Sequence, residues 1–251
     1  MNISEVPPEE LLEPSWFETY EKSADALWWQ LVRLNSNLLV LERIVFFPFD
    51  LFDTGPHHFW RLIENALFES CLMVISRIAI DTDPDVLTLN KLKIEIVGHI
   101  KAEYAEPLRA TLKPLAFERA IESFRSRIRD IRDNYIAHFN QGRHLRPTPR
   151  ELLKEDKEIL SELKSYTNIA NNYFDFLCFG RRKAVLPWGY NSEPSDSLDI
   201  DDILFRIARD SPILNAPESN PALWSSIRQG LSLEEIDTLN EYRRKFKLSE
   251  I

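Results

Sequence analysis

The residues best suited to chemistry in this 251-residue chain stand together in Arg132-Asp133-Asn134-Tyr135-Ile136-Ala137-His138. A guanidinium can hold a phosphate through two parallel N–H donors. An imidazole titrates near neutrality, so it can take and return a proton. Where the substrate brings its own nucleophile, as a ribose 2′-OH does beside a phosphodiester, one Arg and one His supply positioning, charge stabilisation and proton transfer without a metal. On a helical wheel at about 100° per residue with Arg132 at zero, Phe124, Ile128, Ile131 and Tyr135 fall between about −40° and −100°, and His138 at about −120°. Arg125, seven residues before Arg132, projects to nearly the same side, and Asn134 falls beside His138. Two arrangements fit: a core histidine satisfied by a neighbouring helix, or a proton-exchanging site at a packing seam flanked by phosphate anchors.

The charge around this segment departs from that of the whole. Formal net charge is −9 and the sequence pI is about 5.2, a balance that disfavours general affinity for phosphate backbones. Between residues 119 and 150, however, Arg119, Arg125, Arg127, Arg129, Arg132, Arg143, Arg146 and Arg150 stand against only Glu122, Asp130 and Asp133, with no Lys. The segment is therefore +5 and the remainder −14. A solvated face with internal ion pairs, a phosphate-binding stripe and a docking surface for an acidic protein all fit such a run.

Helices must position these groups. Ser15 can cap a segment running to Phe46, with Trp16, Tyr20, Leu27, Leu31, Leu34, Leu38, Leu41 and Val45 at helical spacing. A second stretch carries Phe59, Leu62, Ile63, Ala66, Leu67, Cys71, Val74 and Ile78 and ends near Ala79, where Arg77 and Asp81 could form a helix-end ion pair. A shorter helix is expected from Asn90 to Tyr104, then a link punctuated by Pro107 and Pro114. The Arg-bearing helix follows from Leu115 to Asn140, closed by Gly142. A fifth helix is expected from Arg150 to Phe179, with Ile159, Leu163, Tyr166, Ile169, Tyr173 and Phe176 inward. Residues 191–202 read as a linker, and short helices are expected near Asp201–Arg209 and after Ser232, which opens a capping-box pattern with Glu235. The expected fold is all-α: a tail over residues 1–14, an antiparallel bundle of about five helices over 15–180, and a linker with a helical extension over 181–251.

Several function classes are excluded or disfavoured. Gly is scarce at 6 residues, and neither GxGxxG nor GxxxxGK[ST] occurs. GxSxG and HExxH are also absent. Cys71 and Cys178 form no CxxC, and His57-His58 lack a third ligand nearby, so no metal site or other cofactor is expected. No apolar run approaches the ~18 residues of a membrane span, and residues 1–14 lack a signal-peptide pattern, so the expectation is a cytoplasmic protein with no membrane partner.

The segment Arg132 to His138, an Arg followed by a polar residue and then a His after five intervening positions, resembles the signature of the HEPN superfamily, whose helical bundles carry it on a late long helix. The Asn-Tyr-Ile-Ala-His wording is similar to the abortive-infection branch. So are Ile75-Ser76-Arg77-Ile78-Ala79-Ile80-Asp81 and Leu87-Thr88-Leu89-Asn90-Lys91-Leu92. The resemblance covers residues 15 to 180. It implies a metal-independent endoribonuclease of toxin or phage-defence type acting as a homodimer with facing motifs. Arg132 would hold the scissile phosphate, His138 would exchange the proton and Asp133 would support them. Arg125, Arg129, Arg143 and Arg146 would form the RNA-binding rim, and a cognate antitoxin would be a partner. Asn140 stands where some toxins of this kind have a modifiable Tyr. The alternatives are a non-catalytic nucleotide- or RNA-binding regulatory module and a helical protein that docks a partner.

Overall fold

The computed structural model describes residues 3, 6–52, 58–81, 83, 85–115, 122, 125, 157–182 and 199–251. Every regular element among them is helical, and the fold is all-α. Leu12 and Ile100 form an isolated antiparallel bridge. The chain forms two compact units, Met1–Glu42 with Glu64–Asn191, and Arg43–Ile63 with Ser192–Ile251.

The first unit is organised by α2 (Pro14–Phe46), which follows the single turn α1 (Pro8–Leu11). Within this unit α2 buries Trp16, Tyr20, Ala24, Leu27, Leu31, Leu34, Leu38 and Leu41, a spacing of three and four like the seam of a coiled coil. The helix α7 (Lys157–Leu177) repeats the pattern with Leu163, Thr167, Ala170, Phe174 and Leu177. Polar contacts fix these two helices antiparallel. Lys164 pairs with Glu42, Arg182 just beyond α7 pairs with Glu21 and Asp25, and the Tyr20 hydroxyl donates to the Leu177 carbonyl at 3.3 Å. Between the two ends, the side-chain amides of Asn35 and Asn171 donate to each other's oxygens at 3.1 and 2.9 Å. The Lys164 to Glu42 and Asn35 to Asn171 contacts share one register, which sets Leu41 close to the level of Leu163. Thr167 fits its apolar level because its hydroxyl donates back to the Leu163 carbonyl at 2.7 Å.

The helix α4 (His58–Ile75) returns beside α2, where Ser70 Oγ accepts from Asn37 at 2.9 Å and from Arg33 at 3.5 Å. Its inward face is Glu64, Phe68, Cys71, Leu72 and Ile75. Phe59 and Leu62, expected inward, are 62% and 67% exposed; the helix carries apolar residues around a wide arc, and spacing alone does not pick its inner side. The helix runs directly into a π-helical turn, Ser76–Ile80, closed by the Asp81 N–H on the Ser76 carbonyl at 2.9 Å.

Downstream, α5 (Leu89–His99) is capped by Thr88, whose hydroxyl accepts from Lys91 N–H at 3.0 Å, and packs against α7 and the π turn. The expected single helix to Tyr104 breaks here. The Glu13 N–H donates to the His99 carbonyl and the Lys101 N–H to the Leu11 carbonyl, each at 2.9 Å, so this backbone serves the N-terminal segment and not a helix. The chain resumes as α6 (Ala102–Leu115), which contains Pro107 within it where a link was expected. His99 stacks on Trp16, ring centroids 4.8 Å apart, and its Nδ1 meets Glu13 Oε2 at 2.9 Å. The lower end of α7 closes with Phe179 and Gly180 at positive φ, 54° and 74°, and Gly180 N–H reaches the Asp175 carbonyl.

The second unit gathers α3 (Phe49–Phe52) with α8 (Asp199–Asp210), α9 (Pro212–Ser219), α10 (Pro221–Arg228) and α11 (Leu233–Lys245). The expected capping box opens α11: Ser232 Oγ accepts from Glu235 N–H and Glu235 accepts from Ser232 N–H. An aromatic cluster joins Phe47 to Phe49 and Phe52 to Tyr242, with centroids 4.6 Å apart in each pair. Arg243 is fully buried, and its guanidinium donates to the Leu214 and Ser249 carbonyls and to the Glu218 carboxylate.

Two expectations follow for stability in urea. Asn171→Ala should cost about 1–3 kcal/mol by leaving Asn35 short of a partner, and adding Asn35→Ala should cost less than the sum of the two single changes. Arg243→Met strips donors from two carbonyls and a half-exposed carboxylate, and should cost about 2–3 kcal/mol; a cost near zero would show that the guanidinium is not the staple of this unit.

Candidate functional site

The Arg-rich helix anticipated between Leu115 and Asn140 is described at two positions, Glu122 and Arg125, and both are helical. Arg125 is half-buried, and its Nη1 donates to Glu122 Oε2 at 3.1 Å, a pairing three residues apart along one helix face. Its Nε is buried without a hydrogen-bond partner. An intrahelical pair of this kind, partly open to solvent, is weak enough for an incoming phosphate to displace. Arg129, Arg132, Asp133, His138, Arg143 and Arg146 lie outside the described residues, as do His57, the Gly142 closure and the linker over 191–198.

The Arg77 to Asp81 ion pair is not formed. Asp81 Oδ1 accepts from Asp83 N–H at 3.0 Å, and Asp83 Oδ1 from Asp85 N–H at 2.9 Å. The π turn directs Arg77 to solvent and the carboxylates into the following turn, where they cap backbone donors.

A cavity of about 230 Å³ opens in the first unit between α1, α2 and the end of α7, lined by Pro8, Glu9, Phe17, Tyr20, Glu21, Cys178, Arg181 and Arg182. In sequence, Arg181-Arg182 reads as the start of a linker. Only the doublet of basic residues next to the helix-ending Gly180 hinted otherwise. The charges here are already matched: Arg182 with Glu21 and Asp25, Arg181 with Glu9 at 3.8 Å. Burial pushes the Tyr20 hydroxyl well above its ordinary range and the Cys178 thiol up to about 12. Both groups are neutral at physiological pH, which makes the floor of this cavity a packing element and not a nucleophile.

Among the described residues no group of three or more His, Cys, Asp and Glu gathers as a metal site, and no helix is long and apolar enough to cross a membrane.

The thiols give a direct check. Cys71 is likewise buried, and desolvation pushes it up to about 12. Neither thiol should react with a maleimide at pH 7.5 in the native protein, and both should react in guanidinium chloride. Since each folded pKa lies above the unfolded value, the folded state keeps protons that the unfolded state loses. Stability should therefore be undiminished below pH 9 and fall as pH rises from about 9 toward 12. Rapid native labelling would contradict this burial.

No curated protein and no solved structure matches the chain. The family model HEPN AbiU2 matches residues 49–194, a range that holds Arg132 to His138, Arg125 and the helices α3 to α7. That is more than half of the chain, and the protein belongs to the AbiU2 family of HEPN proteins.

Proposed function

We propose that the chain is a metal-independent endoribonuclease of the toxin or phage-defence type, working in the cytoplasm as a homodimer. The observation that carries this reading is the Arg132 to His138 spacing lying inside the range matched by the family. In the proposed reaction the 2′-OH of RNA attacks the adjacent phosphorus and the bond to the 5′ oxygen of the next nucleotide breaks. This leaves a 2′,3′-cyclic phosphate and a 5′-OH. Arg132 holds the non-bridging oxygens as charge builds on them, and Asp133 supports it. His138 removes the proton from the 2′-OH, and the His138 of a second copy protonates the leaving oxygen. A shared cleft on a twofold axis supplies the acid and the base from one residue type. Arg125, Arg129, Arg143 and Arg146 extend the phosphate contacts along the RNA, and a cognate antitoxin would restrain the activity.

The net charge of −9 favours one competing reading, a HEPN module that binds RNA or nucleotide for regulation without turnover.

The test uses purified protein and single-stranded RNA in EDTA. Wild type should cut RNA, leave cyclic phosphate ends and spare DNA, while His138→Ala should lose at least a hundredfold in rate with its helical spectrum unchanged. Excess His138→Ala mixed in under subunit exchange should depress wild-type activity beyond dilution. Equal cutting by both proteins would refute the assignment. Binding without cutting by either would favour the regulatory module.

A further inference from the structure

We propose that the outer face shared by α2 and the end of α4 in the first unit is a landing surface for single-stranded RNA. Trp29 serves as the base-stacking platform, and Arg33 and Arg77 as phosphate contacts. The inference rests on the reading of this chain as a protein that acts on RNA, and it adds a contact surface away from Arg132 and His138 in sequence.

The first observation is an indole in the wrong place for a core. Trp29 is 61% exposed, although α2 buries apolar residues every three to four positions on its other side. Trp28 lies edge-on against it at 4.7 Å and 71°, which limits the positions its ring can take. Met73, 39% exposed on α4, adds a polarizable apolar surface to that helix.

The second observation concerns charge. Of the six described arginines in this unit, Arg109, Arg125, Arg181 and Arg182 are each paired with a carboxylate. Arg33 and Arg77 are both exposed and pair with no carboxylate among the described residues; Arg33 is held only by Ser70 Oγ at 3.5 Å. In a chain of net charge −9, acids are abundant, yet among the described residues neither guanidinium group is paired with one.

The register then brings the two observations together. This unit loses α2 at Glu42 and regains α4 at Glu64, so the helices run in opposite directions, and Ser70 meets Arg33 and Asn37. One turn back from Arg33 on α2 is Trp29. Two turns on from Ser70 is Arg77, carried by the π turn. Trp29 and Arg77 thus stand level on neighbouring helices, whose axes are typically about 8–10 Å apart, with Arg33 and Met73 one level away.

The acids nearby set its limits. Glu69 is exposed on α4, Asp25 one turn before Trp29 is engaged by Arg182, and Asp81 and Asp83 cap backbone N–H groups beyond the π turn. An aromatic ring beside guanidinium groups is how proteins hold single strands without reading sequence. Four side chains fall far short of the ~800 Å² per partner that a stable protein contact needs, yet they suffice for one stacked base and two phosphates. Trp29 and Arg33 precede the range matched by the family, and Met73 and Arg77 lie inside it.

The experiment uses the full chain carrying His138→Ala, so that RNA is not consumed, and a fluorescent oligouridine read by anisotropy at several salt concentrations. Trp29→Ala should weaken binding about tenfold. Arg77→Gln should flatten the slope of log affinity against log salt by about 0.7. Ultraviolet crosslinking should attach the oligonucleotide to the peptide containing Trp29. Unchanged affinity and slope in both variants, with intact helical spectra, would overturn the proposal. So would a shift from dimer to monomer in these variants with RNA binding unaltered, which would make the face a contact between copies. The two readings fail separately. Trp29-dependent binding by a wild type that never cuts overturns the ribonuclease alone, whereas cutting by a wild type whose binding ignores Trp29 overturns the landing surface alone.

Discussion

The reciprocal amide pair between Asn35 and Asn171 governs how α2 and α7 lie against each other, and most of the first unit takes its position from that pairing. Leucine seams with a three-and-four spacing are tolerant of slippage by a turn or a heptad, because one leucine level resembles the next. An amide donor and acceptor in a partly buried seam are not interchangeable in this way: displaced by one turn, Asn171 would meet the levels of Leu31 or Leu38 and the reciprocal pair would be lost. The ion pairs at the two ends, Glu42 with Lys164 and Arg182 with Glu21 and Asp25, agree with the same register. Being partly exposed, they reinforce a register more than they create one.

Once α2 and α7 are fixed, the remaining helices fill the space around them. The helix α5 packs on α7, and the chain between α5 and α6 lends its backbone to the N-terminal segment. Leu11 and Leu12, both fully buried, explain why a short polar-looking segment earns that attention: the bridge to Ile100 covers the end of the α2 core. In the second unit a different device does the same task. A single guanidinium ties α9 and the residues after α11 to one point, where apolar packing between such short helices would define orientation poorly.

What could be read from the sequence follows from how local each signal was. The seam of α2 was legible because Trp16 to Leu41 repeat over seven turns, and the Ser232 to Glu235 capping box because it needs only four residues. The break at Ile100 is not legible, since it is caused by Leu11 and Glu13 some ninety residues away, and Pro107 sits inside α6 despite its usual role as a helix breaker. In α4 the apolar arc is too wide for spacing to choose a side, and Phe59 and Leu62 face outward. The Arg132 to His138 signature is short, and the range matched by the AbiU2 family contains it. Of the anticipated site residues, Arg125 is the one described, and its partner Glu122 was one of the three acids counted against the Arg run.

The π turn after α4 has a bearing on how such chains can vary in length. Its closing hydrogen bond spans five residues, Ser76 to Asp81, where an ordinary helical turn spans four, so the turn accommodates one surplus residue. A relative shorter by one position could close the same turn as plain α-helix and keep both flanking segments in phase. The same deletion earlier in α4 would rotate Phe68, Cys71 and Leu72 away from the core by about 100°. The turn is therefore a point of evolutionary slack within an otherwise register-locked bundle, and the orientation of Arg77 depends on whether that slack is taken up.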